Sequence, residues 1–373
     1  MKIVVNTRVL RRDQMDGIGW FAYNTLKHIT TENPAIEFHF LFDSGVDESF
    51  LFSKNITPHN LFPPAKHALL NIAWFEWSVK RVLKKIQPDL FLSPDGILCL
   101  GWNGKQFGVI HDINFYHYPE DLKFSNRRYY NYFFPRFAKK AAGLATVSEY
   151  SKFDISSSFG IEKDKIDVVY CGINSFYHAV DKKTMEQVRV KYTGGAPFFV
   201  FVGTISPRKN LLNLLKAFEV YKSETNSETK LLIVGSGIYK VGELYHFRRK
   251  MTFGSDVVFT GRLPDLELNN ILASAVGLVF VPRFEGFGIP LIEAMQCDIP
   301  IIASNVTSIP EVVGDAGLLV DPFNVEQIKV AMTKISNDAG LRMQLIEKGR
   351  IRKAFFSWEK TTDLLWTSVT KCL

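Results

Sequence analysis

Short, unbroken apolar runs recur along the chain. In the first half they are KIVVNT (2–7), EFHFLF (37–42), DLFLSP (89–94), FGVIHD (107–112), GLATVS (143–148) and IDVVYC (166–171). In the second half they are FFVFVG (198–203), KLLIVG (230–235), DVVFTG (256–261), GLVFVP (277–282), IPIIAS (299–304) and GLLVDP (317–322). Runs that are apolar throughout, rather than alternating, predict strands covered on both faces of a parallel sheet. Between them, stretches such as NLLNLLKAFEVYKSE (210–224) and DLELNNILASA (265–275) carry the helical period. Strand, helix and strand repeated through both halves predict an α/β protein with two doubly wound, Rossmann-like domains facing across a cleft.

The alternation breaks in the polar stretch 172–197, which ends in Gly-Gly-Ala-Pro. The organisation expected is a first domain over 1–175, a linker over 176–196 and a second domain over 197–354. A terminal helix over 355–373 is expected to pack back toward the first domain. No short-period repeat or low-complexity segment interrupts this plan. Ligands of open α/β sheets collect outside the carboxyl ends of the strands, so the cleft is the expected site.

Composition narrows the class. The chain has 373 residues, 46% hydrophobic and 22% charged, which suits globular domains rather than disorder. A net charge of +7 points to an anionic partner: nucleotide phosphates, an anionic membrane surface or nucleic acid. No nucleic-acid motif accompanies that charge, so nucleic acid is not expected. Cys99, Cys171, Cys297 and Cys372 lack metal-ligand spacing and read as reduced thiols. With no signal-peptide pattern and no apolar run long enough to span a bilayer, a cytoplasmic location is expected. The segment HALLNIAWFEWSVKRVLKKI (67–86) has two readings. It is a domain helix with a solvated basic end, or a peripheral contact with the inner face of the cytoplasmic membrane.

Candidate chemistry gathers at strand ends. Gly17 and Gly19 open a helix after the first strand, where bare N–H groups and the helix end favour an anion, although such a turn also serves plain packing. His111 and Asp112 end the fourth apolar run, as a catalytic pair or as a satisfied buried histidine. Arg208 and Lys209 stand between a strand and a helix, either as a diphosphate clamp or as a solvated basic loop. In RFEGFGIPLIEAM, Glu285 lies in a glycine loop and Glu293 in the expected first turn of the next helix. Gly286 and Gly288 leave the backbone bare. Two carboxylates and open amides suit a polyhydroxylated ligand; a capping acid plus a surface acid is the alternative.

The spacing of Glu285 and Glu293 within FEGFGIPLIEAM resembles the E-x7-E signature of retaining glycosyltransferases of family four, which have the GT-B fold. FVGTISPRKNLLNLLKAF, VVFTGRLPDLELNNILASA and ASNVTSIPEVVGDAGLLVDP resemble the flanking blocks of that family, and FSWEKTT (356–362) resembles its terminal helix. The resemblance spans nearly the whole chain and is strongest in the second half. It implies a nucleotide-diphosphate sugar as donor substrate, with no cofactor and no metal. The acceptor it implies is a glycan or a lipid-linked saccharide.

Carried onto this sequence, Lys209 with Arg208 would bind the diphosphate and Glu293 the ribose. The loop Glu285, Gly286, Phe287 and Gly288 would hold the sugar. Backbone at Gly261 and Arg262 would meet the base, Gly17 and Gly19 would approach the diphosphate, and His111 would stand near the anomeric carbon. Many members carry an arginine after the strand glycine where this chain has Thr204; Arg208 is expected to supply that charge. GTISPRKN and SNVTSIPEVVGDAG look most like mannosyltransferases of polysaccharide assembly, which implies GDP-mannose as donor.

Without an Asp-x-Asp cluster, the cation pair takes the place of a metal in neutralising the leaving diphosphate. The resemblance implies a same-face substitution with retention, with Glu285 as covalent nucleophile the variant route. Two other classes compete. One is a nucleotide-sugar epimerase or phosphorylase on the same architecture; the other is a non-catalytic sugar-binding or nucleic-acid-binding protein.

Overall fold

A computed structural model describes residues 1–12, 15–65, 67–237 and 242–373. The chain divides into two compact units, one of residues 1–172 with 357–373 and the other of residues 173–356.

The first unit holds a seven-stranded sheet: β1 (Lys2–Asn6), β2 (Glu37–Phe42), β3 (Ile56–Asn60), β4 (Leu90–Ser93), β5 (Gln106–Val109), β6 (Gly143–Thr146) and β7 (Ile166–Val168). Its order is β3-β2-β1-β4-β5-β6-β7, with every pairing parallel. The apolar runs are buried on both faces, as Phe38, Phe40, Phe91 and Phe107 illustrate. β3 has no counterpart among the predicted runs. Its sequence, ITPHN, is polar and half-exposed, and Pro58 lacks a donor; an edge position tolerates both.

The second unit repeats the plan with β8 (Phe198–Val202), β9 (Lys230–Val234), β10 (Val257–Gly261), β11 (Gly277–Phe280), β12 (Ile301–Ser304) and β13 (Gly317–Val320). The order is β10-β9-β8-β11-β12-β13, again parallel throughout. In each sheet the order reverses beside the first strand of the unit, between β1 and β4 and between β8 and β11. The crevice at such a reversal is where ligands of these folds collect.

Part of the expected linker is a helix, Lys182–Thr193. Asp181 caps it by accepting from the Thr184 N–H at 2.8 Å, and Gly194, at φ +66°, ends it. Val188 is buried, and Lys191 and Tyr192 both reach Glu267, which ties the helix to Asp265–Ser274. Polar composition hid a helix that packs on one narrow face.

The terminal helix, Trp358–Thr370, belongs to the first unit. Thr361 Oγ1 donates to the Tyr170 carbonyl at 2.7 Å and Lys371 pairs with Asp167 at 2.9 Å. A Cβ at Gly172 would lie 2.4 Å from the Trp358 nitrogen, so only glycine allows this approach.

Candidate active site

In the second unit, β8 ends at Val202 and the chain turns through a short 3-10 segment, Pro207–Lys209. Asn210 follows in the left-handed region at φ +60°. Its amide donates to the Val281 and Pro322 carbonyls at 3.0 and 2.7 Å, which holds the turn against the strand end of β11. Arg208 and Lys209 therefore sit on a fixed turn rather than on a solvated loop.

From the neighbouring strand, the connection after β11 brings Glu285 to them. Lys209 Nζ donates to Glu285 Oε2 at 2.5 Å and Arg208 Nη1 donates to the same oxygen at 3.0 Å. Arg208 Nη1 also donates to the Phe284 carbonyl at 2.7 Å, and Lys209 Nζ lies 4.9 Å from the Phe280 ring centroid. Ser308 Oγ donates to the Glu285 carbonyl at 2.9 Å, and the Glu285 N–H donates to Thr307 Oγ1 at 3.3 Å. Burial raises the Glu285 carboxyl, but Lys209 and then Arg208 outweigh it and hold the group below its ordinary value. It is an anion at neutral pH.

Gly288, at φ +95°, caps the helix Ile289–Gln296. A Cβ there would lie 2.8 Å from Leu291 Cδ1, so the tight turn requires glycine. Because the helix starts at Ile289, Glu293 falls beyond the first turn, contrary to the sequence expectation, and the helix end does not account for its charge. Glu293 is buried and hydrogen-bonded to the Tyr177 hydroxyl. Burial dominates, the tyrosine hydrogen bond opposes it, and the carboxyl is raised to about 7.

Phe287 is buried with its ring edge-on to Phe356 at 5.6 Å, so its side chain is a core anchor and only its backbone can serve a ligand. Gly261 ends β10 at φ +74°, with open space where a Cβ would stand, and Arg262 beside it is exposed. The structure thus joins Arg208, Lys209 and Glu285 in one cluster and gives Glu293 a separate partner.

In the first unit, Asp16 caps the helix Gly17–Glu32 by accepting from the Gly19 N–H at 2.9 Å. That N–H is already engaged by a protein carboxylate, so Gly19 is a close-packing residue here: a Cβ would meet the Val9 carbonyl at 3.2 Å. His111 follows β5, and its Nε2 donates to the Pro94 carbonyl at 2.9 Å while Phe21 stands edge-on at 5.0 Å. Burial lowers its pKa and leaves a neutral ring at pH 7. Asp112 does not orient it; its Oδ1 accepts from the backbone N–H and side chain of Asn114 at 2.9 and 2.5 Å.

Sequence reasoning missed several residues. Tyr177, the partner of Glu293, lies in the stretch read as a seam, and no spacing marks it. Thr307 and Ser308, which fix the Glu285 loop, lie in a block that resembles the family, but the resemblance assigns them no role of their own. At the carboxyl ends of β1 and β4, Arg8 donates to Asp95 and Asn71, both at 2.8 Å, and Asn6 donates to Asp95 at 2.8 Å. The Asp after LFLSP was the available signal for this cluster. Among the described residues, no three His, Cys, Asp or Glu side chains are arranged to hold a metal ion, and no helix is long and apolar enough to cross a membrane.

Residues 15–175 match the family described as Glycosyltransferase Family 4, and residues 182–352 match Glycosyl transferases group 1. The chain is 31% identical over 255 residues to the O-antigen chain mannosyltransferase B of Escherichia coli, covering 68% of this chain and 67% of that one. It is 26% identical over 244 residues to the serotype-specific mannosyltransferase WbdA of Escherichia coli, a stretch that is 63% of this chain and 29% of that longer one. Among solved structures, the fold matches Anabaena Alr3699/HepE in complex with UDP and glucose, with a TM-score of 0.76 over 99% of each chain at 15% identity.

Proposed function

The chain belongs to the group 1 and family four glycosyltransferases, and from that premise we propose that it transfers mannose from GDP-mannose to a glycan or lipid-linked acceptor in polysaccharide assembly. The transfer retains the anomeric configuration and uses no metal ion. The observation that carries this reading is the convergence of Arg208 and Lys209 on one half-buried carboxylate oxygen at the reversal of the second sheet.

Breaking the anomeric C–O bond leaves a nucleoside diphosphate with growing negative charge. Two fixed cations on a pinned turn stabilise that charge without reorganising, which is usually the largest contribution to such catalysis. In this reading Lys209 and Arg208 hold the diphosphate, Glu293 the ribose hydroxyls and the loop from Glu285 to Gly288 the donor sugar. Backbone at Gly261 and Arg262 meets the base. In the first unit, the neutral ring of His111 suits a hydrogen-bonding role rather than a cationic one.

A thermal-shift screen of GDP- and UDP-sugars, followed by turnover in excess chelator, tests the proposal. Ligand binding to the native state raises apparent stability, so the donor should stand out. GDP-mannose should stabilise most, and transfer should persist with EDTA and yield an α-mannoside. Activity abolished by EDTA and restored by magnesium or manganese, or a β product, would overturn it.

The same reading places the enzyme on the anionic inner face of the cytoplasmic membrane, and one surface supports this. Leu69 and Trp77 are 74% and 72% exposed on the helical run Ala68–Ala73, Trp74–Val79 and Lys80–Ile86. Trp74–Val79 is a π-helix, whose wider turn rotates each residue by less than the ~100° of an α-helix. That lag turns Trp77 back toward the line of Leu69. Arg81, Lys84 and Lys85 follow, all exposed, and Phe62, 81% exposed, is joined to the run by Ser78 Oγ donating to its carbonyl. Aromatic and aliphatic side chains beside cations suit an anionic lipid surface.

A further inference from the structure

A cavity-lining cluster lies in the first unit, outside every residue assigned above to the donor. The sequence places three arginines, Arg8, Arg11 and Arg12, within the five residues that follow β1 by one position. With Asp43, Asp47 and Phe50 from beyond β2, they line a cavity of about 390 Å³. That volume lies in the range of small-ligand sites, and the cavity opens at the carboxyl ends of β1 and β2.

The charges in this cavity are not equivalent. Asp43 is buried and its oxygens are engaged: Oδ2 accepts from Arg11 Nη2 at 3.3 Å and from the Ala65 N–H at 3.0 Å, and Oδ1 accepts from Ser44 at 2.8 Å. Asp95, which anchors Arg8, also accepts from Asn6, Ser93 and the Ile97 N–H. Asp47 Oδ1 accepts twice from Ser49. Asp43 and Asp95 therefore brace Arg11 and Arg8, whereas Asp47 caps its own turn and attracts Arg12; Arg11 is partly exposed and Arg12 exposed. A guanidinium carries five N–H donors in a planar fork. Among the described lining residues, what the cavity presents is mainly donors carrying positive charge, which a phosphoryl group offsets and a neutral polyol does not.

We propose that this cavity binds a phosphoryl group carried by the acceptor, with Arg11 and Arg12 as its ligands and Arg8 as the fixed cation behind them. Assigning the phosphoryl group to the acceptor rests on the transferase reading; the anion site itself does not. The shared chemistry has two sources, a soluble phosphosugar and a lipid-borne phosphate.

Calorimetric titration of the full chain tests the site. GDP is titrated first; its binding, unchanged by substitution of Arg11 and Arg12, reports on the donor reading and on folding. With GDP saturating, mannose 1-phosphate is then compared with mannose, and phosphatidylcholine vesicles carrying a minor fraction of phosphatidic acid are compared with phosphatidylcholine alone. Arg11→Gln with Arg12→Gln should weaken binding of the phosphorylated probe about tenfold or more, the scale of a lost charged hydrogen bond. Arg11→Lys, which keeps charge but not the fork, should recover part of it. Arginine-dependent binding of mannose 1-phosphate identifies a soluble source, and of the vesicles alone a lipid source. Absence of binding to both probes, equal affinity for mannose and its phosphate, or a double variant that binds like the parent would overturn the proposal.

Discussion

Lys209 Nζ and Glu285 Oε2 lie 2.5 Å apart, joined from the ends of two strands that neighbour each other at the reversal of one sheet. A half-buried carboxylate beside two cations is stabilised because the charges offset one another. In the proposed reaction a diphosphate brings the negative charge that Glu285 supplies in its absence. Exchange of partners would then release Glu285 toward the donor sugar as the leaving group is gripped.

Lys209→Ala should cost about 2–4 kcal/mol of transition-state stabilisation, the scale of one preorganised donor lost. Arg208→Ala should cost less, because its Nη1 is shared with the Phe284 carbonyl. Steady-state kcat/KM for the donor measures both. A parental rate in Lys209→Ala at saturating donor would place the diphosphate elsewhere.

Glu285→Gln should separate stability from affinity. The variant leaves Lys209 and Arg208 with a neutral partner, so the free protein should lose about 1.5–3 kcal/mol, the scale of a charged hydrogen bond. GDP should restore more stability to the variant than to the parent, while kcat falls. Urea melts with and without GDP read this directly. Equal stabilisation of both proteins by GDP would rule out the exchange of partners.

The sheets were legible because strands buried on two faces must be apolar throughout. The edge strands β7, β10 and β13 are largely apolar although half-buried, so that twelve runs correspond to twelve of the thirteen strands. β3 escaped because an edge strand need not be apolar and can carry Pro58. At the site, Arg208, Lys209 and Glu285 could be picked out one by one from their positions after strands. Their union could not, since it depends on β8 and β11 being neighbours although 74 residues separate Val202 from Gly277. The helix start at Ile289, with Pro290 in its first turn, agrees with the sequence reading, and what that reading misplaced is Glu293. Counted from Ile289, Glu293 is the fifth residue and lies beyond the first turn.

Trp77→Ser should weaken binding to vesicles containing anionic lipid, and Lys84→Glu with Lys85→Glu should weaken it further. The electrostatic part, on the order of 1 kcal/mol per cation near the surface, should fade as salt rises. All three positions are exposed, so stability should stay within about 0.5 kcal/mol of the parent. Vesicle co-sedimentation across salt concentrations checks both contributions. Binding unaffected by all three changes would return the surface to an ordinary solvated helix.

Glu293 makes donor recognition depend on pH. Burial raises its carboxyl to about 7, with the Tyr177 hydroxyl partly restoring the anion. Ribose hydroxyls donate best to an ionised carboxylate, so donor KM should fall as pH rises from about 6 to about 8. The stability effect has the opposite sign. Between the ordinary value of 4.5 and the folded value of about 7, the native state holds a proton that the unfolded chain has released. Stability from this group therefore declines as pH rises through that window and levels off above it. Glu293→Gln removes the titrating group: donor KM should be raised and flat with pH, and stability relative to the parent should improve from pH 5 to pH 8. Tyr177→Phe should shift the KM transition to higher pH, because the anion loses its hydroxyl donor, while kcat at saturating donor stays near the parent. A merely structural tyrosine would lower stability without moving that transition. Donor KM profiles of the parent and both variants, with urea melts at pH 5 and pH 8, decide the matter. A parental KM that does not change across pH 6 to 8 would remove Glu293 from the ribose site.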